Sequence, residues 1–280
     1  MIPKGDGNLT SDTGESLGVH GVEIEFGAVP RGLPAARCAG VLWQASRSRL
    51  VLEVPEVARY LVEDGRRIRI DPAPGASLRE VSQFARGTPL AALLFQRGHL
   101  AVQAAAASTC GSGILIAGRS AAGKSTLLAA LLQRGWRLLA DDLAVVGLDS
   151  EGSPVVPPTS DQVRLFPDAR ERLGVAGGPW AIASEPAPLR AIWCLSSRGG
   201  EGASETDVEG ADRFRSIAAL AYNTRIADAL LDRVTFFRLA VAMSASATIR
   251  RLHRPMGRWS VDELADLIDR SVEQLNLEST

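Results

Sequence analysis

The chain has 280 residues, more than the roughly 100–200 of a single domain, so one large or two modest domains are expected. Hydrophobic side chains make up 46% and charged ones 22%, and 31 basic against 32 acidic residues leave a net charge of -1; this excludes disorder as the overall state and argues against nucleic acid or a membrane surface recruited by bulk charge. Cys38, Cys110 and Cys194 are too scattered for a disulfide framework or a CxxC metal site, and no apolar run approaches the ~20 residues of a membrane span, so a soluble cytoplasmic protein is expected.

Residues 1–16 are rich in Gly, Asp, Ser and Thr and read as a flexible tail. Short alternating stretches follow, such as Val22-Glu23-Ile24-Glu25-Phe26 and Arg67-Ile68-Arg69-Ile70, and predict a small β-rich region over 17–88. Asp71-Pro72-Ala73-Pro74-Gly75 is a turn, with amphipathic stretches at 77–86 and 89–97 and a domain boundary placed near 88. From there to residue 280 the pattern is α/β: strands at 100–108 and 113–118 around a Thr-Cys-Gly-Ser turn, a helix at 124–134, and a strand at 136–140 that stops at Asp141-Asp142. Residues 153–158 are Pro-rich, 188–195 form a strand, and 196–212 read as a mobile loop of Gly, Ser and Glu. Helices are expected near 214–222 and 226–231, a strand at 248–252, and a last helix opened by a capping box of Ser260 and Glu263. No repeat recurs at a solenoid period.

The run Gly118-Arg119-Ser120-Ala121-Ala122-Gly123-Lys124-Ser125 fits G-x-x-x-x-G-K-[ST]. In that pattern loop amides at the positive end of a helix surround phosphates, the lysine neutralises them and the serine hydroxyl ligates Mg²⁺. Only two of the 31 basic residues are lysines, Lys4 and Lys124, which makes a chance match improbable. Asp141 and Asp142 end the next strand, where such a domain places its acidic metal partner. Neighbours on an extended strand point to opposite sides, so the two acids have different roles: one to hold the metal, the other to accept a proton from an attacking hydroxyl.

These segments, with Arg97-Gly98-His99, Arg134-Gly135-Trp136, Val163-Arg164-Leu165-Phe166-Pro167-Asp168, Pro188-Leu189-Arg190-Ala191-Ile192 and Arg251-Leu252-His253-Arg254-Pro255, closely resemble the HPr serine kinase/phosphorylase catalytic domain and its kinase-like relatives. Among those are the ones encoded near genes for ribosomally made, modified peptides. The resemblance spans about residues 55–275. It implies an α/β fold of the P-loop, phosphoenolpyruvate-carboxykinase-like type behind the β-rich N-terminal region. It also implies ATP and Mg²⁺ as cofactors, serine phosphorylation on a protein or a ribosomally made precursor peptide, and self-association. Carried over residue by residue, Gly118 to Thr126 would bind nucleotide, Ser125 and Asp141 the metal, and Asp142 would be the general base.

Two positions depart from that family. Gln103 stands where relatives have a histidine, and a glutamine hydrogen-bonds without carrying a proton or charge. His99 does not replace it, since four residues of strand span about 13 Å. Ala121 stands where relatives commonly have glycine; a positive φ there would cost alanine on the order of 1 kcal/mol. These departures keep open a nucleotide-binding regulatory module without phosphotransfer, and a kinase of free serine remains a third reading. Weaker candidates are Arg119 in the loop, Arg164 as a phosphate clamp, and a basic cluster of Arg251, Arg254 and Arg258. His253, Trp43, Trp180, Trp193 and Trp259 read as packing residues.

Overall fold

A computed structural model describes residues 19–34, 36–175, 179–198 and 202–278; the expected tail, 1–16, lies outside the described residues. The chain divides into two units, one reaching His99 and including Arg225–Asp232, the other formed by Leu100–Thr224 and the chain from Arg233 onward.

In the first unit the alternating stretches become six strands: β1 (Glu23–Phe26), β2 (Cys38–Ala39), β3 (Trp43–Ala45), β4 (Arg49–Val54), β5 (Ala58–Glu63) and β6 (Arg67–Pro72), in the order β1-β6-β5-β4-β3-β2. Only β1 runs parallel to its neighbour, with Ile24 opposite Ile68. Ile68 and Ile70 are buried while Arg67 and Arg69 between them meet Glu23 and Glu25, the period-two signature of a half-covered sheet. Helix α1 (Leu78–Ala85), capped by Ser77, packs against α2 (Thr88–Gln96), which lies on β4, β5 and β6. The boundary expected near 88 falls at the start of α2, yet the unit continues to His99, because Leu90, Leu93, Leu94 and Phe95 of α2 are buried. Tyr60 donates its hydroxyl to Val81 O at 2.9 Å, joining β5 to α1.

The second unit is built on a nine-stranded sheet. Its path is β10 (Arg137–Ala140), β8 (Ala104–Thr109), β9 (Ser112–Ala117), β13 (Ala187–Arg198), β12 (Pro154–Val156), β11 (Ala144–Leu148) and β7 (Leu100–Val102). Strand β15 (Thr248–Pro255) joins β13 in parallel and carries β14 (Ser204–Asp207) antiparallel at its other edge. The central β9, β13 and β15 are parallel, and β9 is buried along its whole length, as strands covered on both faces are. Helix α3 (Lys124–Gln133) packs against α8 (Val261–Glu278), in a core with Ile114, Ile116, Trp193 and Leu252. Arg134 at the end of α3 reaches Asp266 and Asp269 of α8 at 2.7 and 2.8 Å, and Trp136 donates to Asp269 at 2.8 Å. The remaining helices are α4 (Pro167–Arg172), α5 (Ala211–Ala218), α6 (Thr224–Leu230) and α7 (Arg233–Ser246). No helix among the described residues is long and apolar enough to cross a membrane.

Three local expectations are corrected. The stretch 196–212 is not all loop: β13 runs to Arg198, and Ser204–Asp207 is a strand whose register sets Ser204 opposite His253 and Asp207 opposite Arg250. Helix α5 ends at Ala218, and Leu220 to Tyr222 instead lie along β7, with Ala221 bridging Val102 and Tyr222 N–H donating to Ala101 O at 2.9 Å. Glu263, expected to close a capping box with Ser260, accepts from the Ala203 N–H and pairs with Arg258.

Candidate functional site

The loop follows directly from β9. Gly118, one residue past β9, lies close against β13: a Cβ there would stand 3.0 Å from Leu195 O, so a larger residue would need the backbone to shift. Arg119 to Ala122 close a turn, Ala122 N–H donating to Arg119 O at 3.1 Å. Ala121 adopts φ +60 and Gly123 φ +101, and Gly123 is the residue from which α3 starts. No acidic residue occupies the first turn of α3, so the positive end of the helix is left uncompensated toward the loop. Lys124 is buried, with Nζ donating to Gly118 O and Arg119 O at 3.0 and 3.1 Å. Burial pushes its pKa below the ordinary lysine value, while the nearby Asp142 and Asp141 pull it back up.

The acid pair comes to the same place. Asp141, at the end of β10, accepts the Ser125 hydroxyl on Oδ1 at 2.8 Å and the Arg164 N–H on Oδ2 at 2.8 Å. Burial holds its carboxyl above the ordinary aspartate range, and those two hydrogen bonds only partly offset it. Asp142 adopts φ +72, so the backbone turns sharply directly after Asp141. The field of Asp142 reaches Lys124 and Tyr222. Among the described residues no group of three or more His, Cys, Asp or Glu forms a metal cage. Ser125 and Asp141 therefore offer a sparse oxygen set, which suits Mg²⁺, an ion that keeps waters and takes further oxygens from phosphates. The glycine cradle, buried lysine and hard-oxygen pair fit a magnesium-bound polyphosphate.

Other predicted residues fall unevenly. Ser120 and Arg119 are exposed on the loop and Thr126 lies in the first turn of α3. Gln103 sits between β7 and β8 with its N–H on Leu220 O at 3.0 Å, and the preceding Val102 pairs with Ala144, two residues beyond Asp142. The expected basic cluster breaks up. Arg258 pairs with Glu263, and Arg251 stands opposite Thr206 in the β14–β15 ladder. Arg254 alone reaches the loop, its guanidinium 3.5 Å from where a Cβ on Gly123 would be, with Nε on Ser197 Oγ at 3.0 Å. His253, one residue earlier and so on the other face of the sheet, is held between Ser196 and Thr206 hydroxyls at 2.9 and 3.2 Å. Trp193 is fully buried and Trp259 carries the Arg172 guanidinium 5.2 Å from its ring centroid, both packing roles.

Sequence reading missed Tyr222. Burial and the charge of Asp142 raise its pKa, but no local pattern marks a lone tyrosine after a helix. The proximity arises only because 220–222 clip onto β7.

No protein-family profile matches the chain, and no curated protein matches it. Among solved structures, the Hpr(Ser) kinase/phosphatase from Coxiella burnetii aligns with 64% of this chain and 97% of its own, at 14% sequence identity and a TM-score of 0.36.

Proposed function

We propose that the chain is a phosphotransferase that takes magnesium-ATP at Gly118–Thr126 and passes the terminal phosphoryl group to a serine hydroxyl of a polypeptide. The observation that carries this reading is the 2.8 Å hydrogen bond from Ser125 to Asp141, which joins the start of α3 to the end of β10 and so sets loop, lysine and acid pair side by side. Ser125 and Asp141 would hold Mg²⁺, which when bound would offset negative charge on the phosphates. Lys124 and the loop amides neutralise the phosphates, and Arg254 adds a second cation beside Gly123. Asp142, whose charge reaches Lys124 and Tyr222, takes the proton from the acceptor hydroxyl. The serine oxygen forms a bond to the terminal phosphorus, the bond from that phosphorus to the bridging oxygen breaks, and ADP leaves. Gln103, unable to carry a proton, leaves Asp142 as the base.

Incubation with γ-labelled ATP and serine-containing polypeptides is expected to label the polypeptide. Asp142→Asn should lower transfer by about 100-fold or more while retaining nucleotide, the usual scale for loss of a general base. Lys124→Ala should abolish nucleotide binding measured by calorimetry. Nucleotide bound by the wild type without transfer to any hydroxyl would leave a regulatory module, the reading that Gln103 supports. Transfer to free serine but to no polypeptide would make the protein a small-molecule kinase.

A further inference from the structure

We propose that Ser197 and Arg254 form a phosphate clamp facing the loop, in which the Arg254 guanidinium binds a phosphate of the nucleotide and Ser197 is the positioning residue that aims it. The proposal rests on the phosphotransfer reading above. It adds to that reading a fork of fixed orientation and the residue that fixes it.

The clamp is built where parallel strands end. β9, β13 and β15 run the same way, and ligands of open α/β sheets sit beyond the carboxyl ends of such strands. Trp193 and Leu195 of β13 and Leu252 of β15 lie in one core with Leu127 and Leu128 of α3. Side chains two apart on a strand share a face, so the next positions on that face are Ser197 and Arg254. The register sets these two opposite each other, and Arg254 Nε donates to Ser197 Oγ at 3.0 Å. Nη1 stands 3.5 Å from where a Cβ on Gly123 would be. One nitrogen is thus fastened to β13, and the outer edge of the fork is left beside the loop.

Charge identifies what the fork is for. Other partly buried arginines meet a carboxylate: Arg59 reaches Asp71 at 3.1 Å, Arg134 reaches Asp266 at 2.7 Å and Arg250 reaches Glu205 at 3.0 Å. Half-buried Arg254 pairs with no carboxylate among the described residues; its partner is the neutral Ser197 hydroxyl. It points instead at the start of α3, whose first turn carries no acid, beside the buried ammonium of Lys124. Positive groups gathered in this way repel one another, and the arrangement becomes favourable when a multiply charged anion lies between them. Phosphate suits it best, because its oxygens accept paired N–H bonds from a planar guanidinium.

The test is calorimetry of magnesium-ATP binding to the full chain. Arg254→Ala and, separately, the bulkier Arg254→Gln should each weaken binding by about 10- to 100-fold, the scale of a hydrogen bond to a charged group. Ser197→Ala should weaken it by about 3- to 10-fold, and Ser197→Thr, which keeps the hydroxyl, should restore it. In an Arg254→Ala background Ser197→Ala should have no further effect, because Ser197 acts through the arginine. The melting temperature of nucleotide-free Arg254→Ala should equal or exceed that of the wild type, since a repelled charge is gone. Unchanged affinity in both Arg254 variants overturns the proposal, as does a Ser197→Ala effect of equal size with and without Arg254. A fall in nucleotide-free melting temperature that accompanies the lost affinity in both Arg254 variants also overturns it, by making the arginine structural. A wild type that binds magnesium-ATP, loses it with Lys124→Ala and keeps it through both Arg254 substitutions sinks only the clamp, whereas a wild type that binds none sinks the phosphotransfer reading beneath it.

Discussion

Ala121 holds a left-handed backbone, φ +60, in the middle of the loop. That conformation costs a residue with a Cβ about 1–2 kcal/mol, against about 0.5–1 kcal/mol of extra chain entropy that glycine loses on folding. Ala121→Gly is therefore expected to stabilise the protein by roughly 0.5–1 kcal/mol, read by urea unfolding, with the loop still competent to bind nucleotide. Asp141 has the opposite character: the metal-holding role proposed for it needs a charge that the fold resists. Its pKa is raised mainly by burial, so the folded state prefers the protonated carboxyl, and stability falls as pH rises through the carboxylate range and stays lower above it. Asp141→Asn should raise the melting temperature in metal-free buffer near about pH 8, and that gain should shrink toward about pH 3, below the ordinary aspartate value, where the wild-type carboxyl is mostly protonated in both states. A lower melting temperature for the variant at both pH values would show that the Ser125 and Arg164 hydrogen bonds outweigh burial.

The succession β9, loop, α3, β10, acid pair was legible because each piece has a local signal: an apolar run, a glycine-lysine motif, leucines at helical spacing. Strand β14 had none. Ser-Glu-Thr-Asp reads as loop, and it becomes a strand through partners far along the chain: Glu205 accepts from Trp193 at 2.9 Å, from Arg250 at 3.0 Å and from Ser271 at 2.6 Å, tying β13, β15 and α8 together. Glu205→Ala would strand the Trp193 N–H and part of the Arg250 guanidinium. The expected cost is about 2–4 kcal/mol, from roughly 1–3 kcal/mol for each buried group left unpaired. Glu205→Gln, which keeps an acceptor, should recover about half of it. The clip of 220–222 on β7 was hidden for the same reason as β14: neither end of the contact advertises the other.

At the scale of the molecule, the chain leaves the second unit at Arg225, contributes Arg225–Asp232 to the first, and returns. No composition shift announces that excursion, which is why sequence reading placed a single boundary. It has a measurable result. A fragment ending at His99 lacks Ile226 and Leu230, both buried in the whole protein. Its sheet should be less stable than in the full chain by on the order of 3–6 kcal/mol, about 1.5–3 kcal/mol for each large aliphatic side chain, as read by thermal melts of the β-sheet circular dichroism. The scarcity of lysine also has a use. Besides Lys4, the only ε-amine is that of Lys124, and its lowered pKa leaves more free base in mild alkali. An acylating reagent aimed at amines should therefore mark residue 124 in empty molecules and spare it in filled ones, so that mass spectrometry of one peptide would count ligand occupancy.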